Sequence, residues 1–142
     1  MANERERIVV TAPYAEAIGR AAYIFAYLEW NVVWCCEKIA PGYIKKLKKK
    51  TAGKIGTDFL KFSETLADDK GRAAFVVAAE AFARLVLDRN NLLHAKPATA
   101  QGGEQRLFHN GYEWTVERIN SVADSFAACA IEINDLFYAW LN

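Results

Sequence analysis

Arg89-Asn90-Asn91-Leu92-Leu93-His94 closes a long helical pattern, and a break rich in Pro and Gly, residues 95–104, follows at once. Reading back from it, Phe75, Ala79, Phe82 and Val86 recur at helical spacing, and Arg89 and then Leu93 continue the series. The pattern predicts a helix from about Arg72 to His94. Asp68-Asp69-Lys70-Gly71 reads as the turn before it, with acidic residues suited to a helix N-terminus. Arg89 stands where the stripe calls for an apolar side chain.

The same oddity occurs near the start of the chain. From Pro13 to Ile39, Ile18, Ala22, Phe25, Val32, Cys36 and Ile39 repeat at helical spacing, and Glu29 takes the slot between Phe25 and Val32. Thr11 is placed to cap this helix, and Pro13 suits its first turn. Opposite charges on two stripes that look buried are expected to meet, because an unpaired buried charge costs several kcal/mol. Tyr23, Tyr27, Trp30 and Trp34 form a second stripe on the first helix. A helix apolar on two sides is either central in a bundle or covered by a partner chain. Interfaces are enriched in Tyr and Trp, so core or dimer contact is preferred over a ligand pocket wall.

Pro41-Gly42 ends the first helix. A lysine run follows: Lys45, Lys46, Lys48, Lys49, Lys50 and Lys54. A short helix, a weak break and a second short helix reaching about Leu66 are expected here. Beyond residue 104, Asn110-Gly111 separates two short segments rich in aromatics, which is a strong hairpin signal. Such a hairpin is marginal alone and must pack on the helices. A last helix begins near Thr115, a suitable cap, and carries Ile119, Val122, Phe126, Cys129, Ile133, Leu136 and Trp140. The expected fold is all-α: an antiparallel bundle of four to five helices with one small β-hairpin before the last helix, in a single domain spanning 1–142.

Bulk properties narrow the function. At 142 residues, with 53% hydrophobic and 25% charged residues, the chain is one ordinary globular domain. A formal net charge of +1 gives no global field for nucleic acid or anionic lipid, so any polyanion site is local. Cys35, Cys36 and Cys129 make no disulfide framework and read as buried thiols of a reduced, cytoplasmic protein. The charged start is no signal peptide, and no apolar run is long enough for a bilayer, so no membrane partner is expected. No His lies at ligand spacing from the cysteines, so no metal site is read there. Gly53-Lys54-Ile55-Gly56-Thr57 lacks the spacing of a phosphate loop, and no cofactor is expected.

The chemistry is left to Arg89, Asn90 and His94. Histidine moves a proton near neutral pH. Arginine holds the charge of a phosphorane-like transition state through two parallel hydrogen bonds. Asn90 and His94 share a helix face. Arg89 and His94, five residues apart, converge only if the helix unwinds near its end or a second chain supplies the other half. The alternative from the same residues is structural: Arg89 pairs with Glu29, and His94 bonds the last helical carbonyls. The lysines at 45, 46, 48, 49 and 50 are candidate RNA contacts acting by counterion release, although such runs are commonly solvated faces. A pairing of His94 with His109 is a further, weaker candidate for acid–base work.

Arg89-Asn90-x-x-x-His94, late in the third helix of a small bundle, resembles the R-x(4–6)-H signature of the HEPN superfamily (higher eukaryotes and prokaryotes nucleotide-binding domains). Asn90 matches the polar residue that often follows the Arg there, and the first helix, with Tyr27-Leu28-Glu29 in its middle, is similar to that family's long first helix. The resemblance implies a helical homodimer with two motifs across a shared cleft, and a metal-independent endoribonuclease of toxin or defence type. In that reading Arg89 and His94 are the catalytic pair, Asn90 the polar helper and Glu29 a support that orients Arg89. RNA would be the substrate and an antitoxin or operon partner would accompany it. Members without activity imply the alternative, a non-catalytic module for nucleotide binding or protein assembly. Lys96 stands where the toxin branch paired with nucleotidyltransferase antitoxins usually has Tyr.

Overall fold

The computed structural model describes residues 3–142, so the first two residues of the expected lead-in lie outside the described residues. Four α-helices dominate: α1 (Ala12–Ile39), α2 (Ala52–Ser63), α3 (Asp69–Leu93) and α4 (Val116–Leu136). Short 3-10 turns occupy Glu4–Arg7 and Ile44–Lys49, and a π-helical turn, Phe137–Leu141, extends α4. Their limits follow local chemistry. The Thr51 hydroxyl accepts from the Lys54 amide, the Asp68 carboxylate from Gly71 and the Thr115 hydroxyl from Arg118, each satisfying an otherwise orphaned N–H of a first turn. Thr11 occupies the cap position of α1, but its hydroxyl makes no capping bond. Gly42, with φ of 99°, takes the left-handed conformation that turns the chain out of α1.

Phe25, Val32 and Cys36 of the expected α1 stripe are buried, but towards the helix start the buried face falls one residue earlier, at Ala17 and Ala21 in place of Ile18 and Ala22. Tyr14, Ala17, Ala21, Phe25, Leu28, Val32, Val33, Cys35 and Cys36 are buried, whereas Ala22 is exposed. Glu29 therefore sits at the rim of the core face, not in its middle. Phe25 is the hub. Its ring lies 5.9 Å from Phe82 of α3 and 5.1 Å from Phe126 of α4. Burying one such side chain contributes about 1.5–3 kcal/mol, so this triad joins three helices through apolar contact alone. On the other side, Phe59 of α2 meets Phe75 of α3 edge to face at 6.2 Å. Gly56 of α2 faces Phe82 of α3, where a Cβ would lie in ordinary contact at 3.4 Å from the ring.

The expected two-stranded hairpin is a three-stranded antiparallel sheet, with order β1 (Lys96–Thr99), β2 (Gln105–His109) and β3 (Tyr112–Trp114). Asn110 and Gly111, at φ of 50° and 81°, make the tight turn between β2 and β3. The added strand comes from the segment read as loop, and it pairs Lys96 with Phe108 through Thr99 with Gln105. Tyr14 of α1 anchors the sheet. Its hydroxyl donates to the Trp114 carbonyl at 2.6 Å and accepts from the Leu107 amide at 2.9 Å.

Candidate functional site

The end of α3 is held from the sheet side. Leu92 is buried, and the Trp114 indole N–H donates to the Asn91 carbonyl at 3.3 Å. Helical geometry stops at Leu93. His94 follows with φ of −97° and ψ of 5°, and its amide donates to the Asn90 carbonyl at 2.9 Å. That loss of regular helix matters for the site. Arg89, Asn90, Leu93 and His94 all border one groove of about 720 Å³, together with Ala22, Phe25, Ala26 and Glu29 of α1 and Lys50-Thr51-Ala52-Gly53 at the start of α2. Arg89 and His94, five residues apart in sequence, thus border the same groove of one chain.

His94 is exposed, and Arg89 and Asn90 are half-buried. The Arg89 guanidinium lies over the buried Phe25 ring at 4.8 Å, a cation–π contact. Its Nε is buried and has no hydrogen-bond partner. The expected ion pair with Glu29 is not made: no contact within 4.0 Å joins the two charges. Burial pushes the Glu29 carboxyl above its ordinary range, and the field of Arg89 only partly offsets this. The physical reason for the missed pair is the choice of aromatic partner. Phe25, one turn before Glu29, holds the guanidinium over its ring instead.

Only Lys50 of the lysine run reaches the groove; Lys45, Lys46, Lys48 and Lys49 are exposed outside it. Lys50 is not a free cation either. Its Nζ donates to buried Asp58 at 2.9 Å and lies 5.0 Å from the Tyr43 ring. The Tyr43 hydroxyl also donates to Asp58, at 2.8 Å, and Lys54 approaches at 3.1 Å. Burial opposes ionisation of Asp58, but these three donors outweigh it and hold its carboxyl below the usual range. Sequence reading passed over Asp58. The available signal was its place four residues after Lys54 on α2.

His109 lies on β2, beside the Asn110 carboxamide at 3.2 Å, and does not border the groove. Among the described residues no group of three His, Cys, Asp or Glu side chains is placed to hold a metal ion, and no helix is long and apolar enough to cross a membrane. Compared with known proteins, the chain matches no family model, no curated protein and no solved structure. None of these comparisons identifies a HEPN domain.

Proposed function

We propose that the groove at the end of α3 takes an RNA phosphodiester and that the chain is a HEPN-like, metal-independent endoribonuclease of the toxin or defence type. The observation that carries this reading is the meeting of Arg89, Asn90 and His94 on one solvent-open groove, with the Arg89 Nε left without a partner. His94 takes the proton of a ribose 2′-hydroxyl as that oxygen attacks phosphorus. The bond to the 5′ oxygen breaks, and the leaving oxygen takes a proton from water. A 2′,3′-cyclic phosphate and a 5′-hydroxyl end result. Arg89 holds the charge that builds on the phosphoryl oxygens, and Asn90 donates to one of them. Glu29 supports Arg89 through its field across the groove rather than through contact. A homodimer, a cytoplasmic setting and an antitoxin or operon partner belong to the same reading.

A second reading is favoured by one observation. The Arg89 guanidinium lies over buried Phe25, a placement that suits a structural anchor in a non-catalytic nucleotide-binding or assembly module. One variant separates the two. The His94 side chain is exposed, so His94→Ala is expected to leave the thermal midpoint within about 1 °C of wild type while lowering RNA cleavage by 10²-fold or more. Cleavage products are checked for the cyclic phosphate end. Wild-type protein that binds RNA or nucleotide without cutting it selects the module instead.

A further inference from the structure

The second stripe of α1 is a large exposed apolar surface. Tyr23, Tyr27, Trp30 and Trp34 are 75%, 53%, 47% and 44% exposed, although each is large and mostly carbon. Trp30 and Trp34 pack edge to face at 6.0 Å, so part of this surface is ordered before anything binds. The four rings are spaced four, three and four residues apart, the alternation of a coiled-coil seam. From Ala21 to Cys36 the only charged residue is Glu29, which belongs to the groove beside the seam.

We infer that this seam is the contact by which two copies of the chain pair, α1 against α1 and antiparallel, about a two-fold axis midway between Tyr27 and Trp30. This identifies the surface behind the proposed homodimer and does not depend on any nuclease activity. Two arguments carry it. The exposed parts of the four rings amount to about two full aromatic side chains, roughly 300–500 Å². With the flanking Ala22, Ala26 and Tyr138, all exposed, the patch approaches the ~800 Å² that each partner of a standard interface buries.

The ends of the seam choose the direction. Extending the same spacing puts Arg20 before Tyr23 and Glu37 after Trp34. Parallel pairing sets Arg20 against its own copy, whereas antiparallel pairing sets it opposite Glu37 of the second copy. Glu37 is fixed by the amides of Gly42 and Ile44 at 2.8 and 2.9 Å, so its charge is held in place. Arg20 is engaged only by Glu16, in an exposed pair at 3.2 Å that is worth little and is readily exchanged.

The test is sedimentation equilibrium with light scattering. Wild type is expected at twice the 15.9 kDa chain mass. Trp30→Glu is expected at one chain mass, with an unchanged circular dichroism spectrum and thermal midpoint, because the changed side chain is half in solvent. Mixing Tyr27→Lys with Trp30→Glu is expected to restore a two-chain species, since only antiparallel pairing sets the new lysine against the new glutamate. A wild type of one chain mass at its highest soluble concentration overturns the proposal. So does a two-chain mass that survives Trp30→Glu, or a mixture that stays monomeric. A monomeric wild type whose Trp fluorescence is quenched by single-stranded RNA overturns it too, and assigns the rings to base stacking. None of these readouts involves cleavage, so failure here is distinct from failure of the nuclease reading.

Discussion

Glu29 and Arg89 were legible as misfits, each a charge where its stripe called for an apolar side chain. Their relation was not legible, because spacing reports which face a residue occupies and not which neighbour its head group selects. Arg89 selects an aromatic face, which leaves Glu29 half-buried without a direct cation. The consequence is measurable. The folded-state pKa of Glu29 is raised above its unfolded value, so the native state holds the proton more tightly than the unfolded chain. Ionising this group therefore costs stability as pH rises from the ordinary glutamate value of about 4.3 through the folded pKa. Glu29→Gln removes that cost. Urea unfolding is expected to show the variant more stable than wild type at pH 7, with the difference closing as pH falls towards the ordinary glutamate value. A variant less stable than wild type at pH 7 would mean that Glu29 supports the fold through Arg89 after all. The three thiols are the simpler case. All are buried, and burial raises Cys35 to about 12 and Cys129 to about 11, in keeping with inert core cysteines.

Among the elements, the three long helices α1, α3 and α4 were readable because each carries an apolar stripe over many turns, and Thr115 and Asp68 mark true caps. Strand β1 was not readable. Its residues, Lys-Pro-Ala-Thr, are all exposed and show no alternation, and Pro97 argues against a strand. It forms because it is an edge strand, where a missing N–H can face solvent, and because β2 offers it a backbone ladder. What holds the sheet to the bundle is equally hidden: Tyr14 lies more than 90 residues away in sequence from both of its backbone partners. Removing the Tyr14 hydroxyl leaves a buried carbonyl at Trp114 and an amide at Leu107 without partners, each costing about 1–3 kcal/mol if water cannot reach it. Tyr14→Phe is thus expected to lose ~2 kcal/mol or more in urea unfolding and to speed hydrogen exchange at the Leu107 amide. Unchanged exchange there would place the anchoring of the sheet in apolar contact, chiefly at Trp114. His94 would feel the same change, since Trp114 also fixes the end of α3.

Over the whole molecule, charge decides how RNA could be held. The net charge of +1 supplies no long-range attraction, so affinity must come from cations at the groove. Those are few: Arg89 borders it directly, and Lys50 borders it while bound to Asp58. The four exposed lysines at 45, 46, 48 and 49 lie outside it. For single strands the logarithm of affinity falls with the logarithm of salt by about 0.7 per phosphate neutralised. If the groove alone takes RNA, one or two phosphates are neutralised, and the slope is expected between about −0.7 and −1.4. If the lysine run tracks the backbone as well, the slope steepens to about −3 or beyond. The measurement is fluorescence anisotropy of a short single-stranded RNA on the His94→Ala variant, which keeps Arg89 and Lys50 while leaving the strand uncut. A steep slope that relaxes when Lys45 and Lys46 are changed to Ala would move the RNA path out of the groove and onto the 3-10 turn, and would detach binding from the residues proposed for chemistry.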